Sequence, residues 1–302
     1  MSLESILVTS ATGNQGRGVV KHCLASASIK VYALVRDPSS AAAQELEASG
    51  ATLVKGDLDD AASVQAALEQ TKPTALFLNL PPGPGSLQLS RARIVVDAAG
   101  NVPSVRSLIY SGVSGTGSHD SYPDFGPDHP MYEYWLSKQE MEDLVRSAGF
   151  ASWTVIQLPV FLQLFVPPFA SVMFPDLWKD NVLRTAFKPE TKFDVLDAGD
   201  IGAVVAAALQ KPDEFRPRVV PLAVEAVTAS ELAAKIGKAR GVKIEVAHET
   251  MEDLAKKLGP LGPRLVAFQG IYNATGSTID VQKNREEFNL KSVEDFFAAA
   301  NV

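Results

Sequence analysis

The sequence has a single cysteine, Cys23, which excludes an intramolecular disulfide framework and any cysteine-based metal cluster, and fits a reducing compartment. It also lacks a basic cluster. Acidic residues outnumber basic ones, 35 to 28, for a net charge of -7, which argues against nucleic acid, since binding its backbone needs a basic face. Histidines are few, and His119 and His129 stand too irregularly among the acids to suggest metal ligation. The long uncharged stretch Trp153–Phe174 is broken by Pro159, Pro167 and Pro168 and carries Gln157 and Gln163, which argues for protein core and pocket wall over a membrane span. The N-terminus has no basic and apolar leader, so cytoplasmic residence is the expectation. No internal repeat or low-complexity tail is present.

The first segment, Ser5–Arg36, reads as strand, glycine turn, helix and strand. Ser5–Thr9 is an apolar run suited to a strand buried on both faces, and Ser10-Ala11-Thr12-Gly13-Asn14-Gln15-Gly16 follows it. Gly13 and Gly16 permit a sharp turn and let a pyrophosphate approach the free N–H groups at a helix start. Ser10 stands where the first glycine of the dinucleotide pattern is expected. Lys30–Val35 then forms a second strand ending at Arg36. A carboxylate there selects NAD, whereas an arginine fork binds a 2′-phosphate, so the expected cofactor is NADP(H); the alternative is a solvated Arg36 with Asp37 on the ribose.

Strands and helices alternate beyond this point. Ala51–Lys55 is a third strand, followed by a turn in which Asp57 and Leu58 are candidates for adenine contact, while Asp57 or Asp59 is an alternative helix cap. Ala75–Leu80 is a fourth strand, stopped by Pro81-Pro82-Gly83-Pro84-Gly85, which places Leu80 and Pro81 where a cofactor crosses the sheet. Ser107–Ser111 is a fifth, and Ser111 and Ser114 bring hydroxyls near the nicotinamide end. The pattern predicts an α/β fold, a Rossmann-type doubly wound parallel sheet with a smaller, mostly C-terminal α+β lobe. The expected division is 1–158, rejoined by 195–222, as the nucleotide domain, with 159–194 and 223–302 on the substrate side.

Residues 118–130 read as an irregular segment, either a lid or a solvated loop, with Asp120, Asp124 and Asp128 as candidate acids beside Glu133. The helix that follows contains Tyr134-Trp135-Leu136-Ser137-Lys138, a phenol and an ammonium on one helical face. Lys138 is expected to lower the phenol pKa and to hold a ribose hydroxyl. Tyr-x-x-x-Lys occurs by chance in many helices, and its weight here comes from its place after the fifth strand. Leu183–Phe187 and Lys192–Leu196 read as a hairpin. Asp200-Ile201-Gly202 opens a helix, and Thr228, Thr250 and Ser292 cap three more.

Taken together, the turn, Val35-Arg36-Asp37, the segment from Ser137-Lys138 to Glu142 and Asp200-Ile201-Gly202 resemble the NmrA-like family of atypical short-chain dehydrogenases/reductases over nearly the whole chain. The resemblance implies that Thr12, Gly13, Asn14, Gln15 and Gly16, with Arg36, hold the phosphates. It also implies that Lys138 contacts the nicotinamide ribose and that Pro159, Val160 and Phe161 border the nicotinamide. The family includes NADP(H)-sensing regulators that bind protein partners, reductases of natural products, and non-redox cyclases. Sensor-like members generally lack the tyrosine before the lysine. The leading expectation is therefore an NADPH-dependent reductase of a small apolar carbonyl, imine or enone, with Tyr134, Lys138 and Ser111 or Ser114 as its catalytic groups. The alternatives are a cyclase using loop acids such as Asp128, and a sensor with a protein partner. Neither nucleic acid nor membrane is an expected partner.

Overall fold

The computed structural model describes residues 3–300. In chain order the elements are β1 (Ser5–Val8), α1 (Asn14–Leu24), β2 (Lys30–Val35), α2 (Ala41–Ala48), β3 (Thr52–Lys55), α3 (Ala61–Thr71), β4 (Ala75–Leu78), α4 (Gly85–Gly100), β5 (Ser107–Val113), α5 (Tyr132–Ser147) and β6 (Ser152–Leu158). There follow β7 (Val160–Phe161), α6 (Ala170–Met173), α7 (Pro175–Lys179), β8 (Val182–Thr185), β9 (Phe193–Leu196), α8 (Ile201–Gln210), β10 (Arg218–Pro221), β11 (Glu225–Val227), α9 (Ala229–Arg240), β12 (Glu245–His248), α10 (Met251–Lys257), α11 (Gly262–Thr275), α12 (Val281–Glu287) and α13 (Val293–Ala299).

These elements form two compact units. The first takes the chain up to Thr116, then Leu136–Gln157 and Ala198–Pro221; the second takes Gly117–Trp135, Leu158–Asp197 and the chain from Leu222. The sequence-based division left 117–135 with the nucleotide domain, whereas these residues cluster with the second unit.

The first unit is a seven-stranded parallel sheet in the order β10-β6-β5-β4-β1-β2-β3. Its strands are apolar runs because helices cover both faces. Val8, Leu76, Phe77, Leu108 and Val155 are completely buried. The order reverses between β1 and β4, so the segments leaving the C-terminal ends of those two strands flank the crevice where such sheets bind ligands. β10 rejoins the sheet beside β6, Arg218 opposite Thr154 and Val220 opposite Ile156. Helix α8 lies against α1 at backbone contact. A methyl added at Gly18 would stand 2.2 Å from the Gly199 carbonyl oxygen, and one at Gly202 would stand 2.3 Å from the Gly18 carbonyl oxygen. Cys23, on α1, is fully buried, and burial pushes its thiol up to about 12, which fits a packing role.

The second unit has a three-stranded sheet, β11-β9-β7, and a two-stranded one, β12-β8. The expected hairpin of Leu183–Phe187 with Lys192–Leu196 does not form. β8 pairs in parallel with β12, and β9 pairs with β11 and β7. The connection between β8 and β9 is instead tied to α11, where Asn273 Oδ1 accepts from the Lys188 amide at 2.9 Å and from Thr191 Oγ1 at 2.8 Å. Thr228, Thr250 and Ser292 cap α9, α10 and α13, and Thr228 with Glu231 completes a capping box. Among the described residues no helix is long and apolar enough to cross a membrane.

Candidate dinucleotide and proton-transfer site

The turn after β1 is held by the sheet beneath it. Thr9 Oγ1 donates to the Asn79 carbonyl at 2.7 Å and accepts from the Asn79 amide at 2.8 Å, while Ser10 Oγ donates to that carbonyl at 3.0 Å. Neither Thr9 nor Asn79 stands out in the sequence, because the bonds span β1 and β4. Ser10 adopts φ 47, the left-handed conformation that glycine would take without strain. Its carbonyl accepts from the Gly13 amide at 3.0 Å and closes the turn. A methyl at Gly16 would lie 2.3 Å from that carbonyl oxygen and 2.6 Å from Ala11 Cα. Gly13 is exposed, and a methyl there would meet only the Ser10 carbonyl oxygen, at 3.4 Å. The exposed backbone at Gly13 and Asn14 opens α1 with no side-chain cap on its N–H groups, the arrangement a pyrophosphate requires. The first unit's residues therefore fit a dinucleotide.

Around this turn the predicted residues divide into contacts and neighbours. Gln15 and Ser111 meet: Ser111 Oγ donates to Gln15 Oε1 at 2.5 Å, joining the α1 start to β5. Thr12 is half-buried, and its carbonyl accepts from Arg17 Nε at 2.9 Å. Arg36 is exposed at the end of β2 and lies near enough to Asp59 to help hold that carboxyl low, after the larger effect of Arg91. Asp37 is engaged by Ser39, whose Oγ donates to it at 2.6 Å. Asp57 Oδ1 accepts from the Asp59 amide at 3.1 Å, and Leu58 is buried in the core. The cap of α3 is neither Asp57 nor Asp59 but Asp60, which accepts from the Ala62 and Ser63 amides. Leu80 and Pro81 are half-buried after β4, and Ser114 lies half-buried in the turn after β5.

Helix α5 carries Tyr134 at its start, in the second unit, and Lys138 one turn later, in the first. Lys138 Nζ donates to Gln88 Oε1 at 2.7 Å. Burial lowers its pKa from 10.5 to about 8. The Tyr134 phenol moves opposite to the sequence expectation. Burial, with a smaller contribution from Tyr122, pushes it above its ordinary value, so the phenol stays protonated and able to donate. Tyr134 belongs to a set of rings confined to the second unit. Trp135 packs edge-on against Tyr134 at 5.3 Å and Tyr122 at 5.2 Å, and Phe125 contacts His119 at 5.1 Å, His129 at 5.6 Å and Tyr132 at 5.3 Å. Asp120, Asp124, Asp128 and Glu133 are all exposed. In the second unit Pro159 and Phe161 are half-buried and Val160 is buried, paired with Val195. The aromatic run expected as pocket wall packs largely on itself: Phe165 stacks on Phe174 at 4.7 Å and accepts the Trp178 indole N–H at its carbonyl. Among the described residues no group of three His, Cys, Asp or Glu could hold a metal.

Lys138 makes stability depend on pH. The unfolded chain holds its proton up to about 10.5, whereas the folded chain releases it near 8. Burial of the charge therefore costs stability below about pH 8, and the cost is relieved as pH rises toward 10.5. Relative to Lys138→Met, the native protein should gain on the order of 2 kcal/mol across that window, a figure reduced for the partial exposure of the side chain. Paired denaturant titrations at successive pH values check this; parallel curves for the two proteins would refute it.

A model of the NmrA-like family matches residues 2–297. The chain belongs to the NmrA-like family. Among its relatives is an NAD(P)H azoreductase of Xenophilus azovorans, 28% identical over 258 residues, which are 85% of this chain and 81% of that protein. Two solved structures share the fold. The triphenylmethane reductase of Citrobacter sp., complexed with NADP(H), has a TM-score of 0.77 at 17% identity and covers 99% of this chain and 100% of its own. NmrA, a negative transcriptional regulator in complex with NADP, has a TM-score of 0.74 at 20% identity and covers 99% and 95%. Reductase and regulator are thus nearly equal in fold similarity, and the difference has to be sought in the residues.

Proposed function

We propose that this NmrA-like protein is an NADPH-dependent reductase of small, apolar, conjugated organic compounds bearing a carbonyl, imine or enone. The observation that carries the reading is Tyr134, a phenol kept protonated by its surroundings, on the same helix as Lys138. A sensor needs no such donor, and the regulator-like expectation was for its absence.

The bound dinucleotide supplies the hydride. The α1 N–H groups and the turn Thr12–Gly16 receive the pyrophosphate, with Ser111 holding Gln15 in place. Arg36 offers an exposed guanidinium for a 2′-phosphate. Lys138 holds the nicotinamide-side ribose. Tyr134 gives its proton to the substrate atom that gains negative charge, and Ser114 is a further candidate hydroxyl for that atom. The cyclase alternative loses support because its loop acids, Asp128 included, face water.

The test is to mix the protein with NADPH and a panel comprising a quinone, an azo compound and an enone. One mole of NADPH consumed per two-electron reduction is expected: one for each quinone or enone reduced, and two for each azo compound cleaved to its amines. Product formed equally well with NADP+, at constant nicotinamide absorbance, would establish templating instead. No turnover of any compound, with partner affinity set by the dinucleotide, would establish a sensor.

A further inference from the structure

Gln88 lies on the first turn of α4 and is 8% exposed. Its side-chain amide is bonded at both ends. Nε2 donates to the Gly83 carbonyl at 3.1 Å, and Oε1 accepts from Lys138 Nζ at 2.7 Å. The chemistry of these two partners fixes the amide orientation. Turned over, the NH2 group would face an ammonium that can only donate, and the oxygen would face a carbonyl that can only accept. The anchor is itself stiff, since Gly83 sits between Pro82 and Pro84 in the segment after β4. The backbone amide of Gln88 donates to the Pro84 carbonyl at 3.1 Å.

We infer that Gln88 is the positioning residue for Lys138, a neutral strut that carries the geometry of the β4 exit to the ammonium on α5. This rests on the reading of Lys138 as a cofactor contact. Neutrality is part of the function. A glutamate in its place would compete with the ribose for the ammonium, neutralise its charge, and set a carboxylate against the Gly83 carbonyl. Glutamine instead supplies an acceptor that fixes the position of the charge and leaves the charge in place.

The test is a double-mutant cycle read by fluorescence titration with NADPH, using Gln88→Leu, Lys138→Met and the pair. Gln88→Leu should weaken NADPH binding about 10-fold, the scale of a hydrogen bond to a charged group. Lys138→Met should weaken it by at least as much, and the double variant should bind no worse than Lys138→Met alone. A purely structural glutamine would instead give losses that multiply, and that result overturns the inference, as does wild-type affinity in Gln88→Leu. Gln88→Met, close in volume, carries the same cycle if leucine is not tolerated by the fold. The two readings fail differently. Wild-type affinity in Lys138→Met removes Lys138 from the cofactor site and the inference with it. A weakened Lys138→Met beside an unaffected Gln88→Leu removes only the role of Gln88.

Discussion

Tyr134→Phe should lower turnover by ~100- to 10,000-fold, the usual contribution of a positioned general acid, while NADPH affinity stays within about 3-fold of the native protein. The substitution removes one oxygen and keeps the ring, so the edge contact with Trp135 survives. What is lost is the proton donor. The direction of the phenol shift bears on this. A tyrosine whose pKa is raised by burial is fully protonated at neutral pH, and it releases its proton only to a strongly basic atom, such as the oxyanion or nitrogen anion created by hydride addition. Steady-state kinetics with an acceptor from the panel, beside a binding titration, decide the matter. Unchanged turnover would remove Tyr134 from the chemistry and return the regulator reading to first place.

The second large effect concerns the turn, where two glycines are expected to separate folding from cofactor binding. Gly16→Ala would push a methyl into the Ser10 carbonyl oxygen at 2.3 Å and Ala11 Cα at 2.6 Å, both backbone atoms that cannot swing away. It should cost roughly 1–3 kcal/mol of stability and abolish measurable NADPH binding, because the start of α1 must move. Gly13→Ala keeps an ordinary φ of -79 and meets the Ser10 carbonyl oxygen at a tolerable 3.4 Å. It should leave the unfolding midpoint within about 0.5 kcal/mol and still weaken NADPH binding, since its methyl projects where the pyrophosphate approaches. Thermal unfolding and NADPH titration of both variants test the pair. Equal losses of stability at the two positions would contradict the assignment.

Much of the first unit is legible in the sequence because its signals are local. β1, β2, β4 and β5 are short apolar runs closed by glycine or proline, and the turn, Arg36 and the start of α8 are contiguous motifs. What escaped depends on residues far apart in the chain. The partner of β8 is β12, and no pattern within residues 183–196 announces it, so local alternation suggested a hairpin. Gln88 looks like an ordinary helical glutamine until Lys138 is placed beside it, and Ser111 looks like a substrate contact until Gln15 takes its hydroxyl. The sign at Tyr134 has a related origin: helical spacing suggests an ammonium as its tuner, whereas the shift comes from burial, with Tyr122 adding to it, and burial belongs to the tertiary structure. The cap of α3 is Asp60, one position past Asp59 and three past Asp57, a difference set by backbone angles that composition does not reveal.

The glycine contact between α1 and α8 bears on the order in which the molecule is made. During synthesis at ~5–20 residues per second, α8 follows α1 by roughly ten to forty seconds. Throughout that interval the face of α1 bearing Gly18 has no helix to meet, and the sheet lacks β10 until Pro221 is in place. The strands that form the dinucleotide turn are thus among the first to be made, but their unit is sealed by a late segment. A nascent chain paused before residue 201 would therefore present the nucleotide fold without the helix that meets Gly18 and without its β10 edge strand.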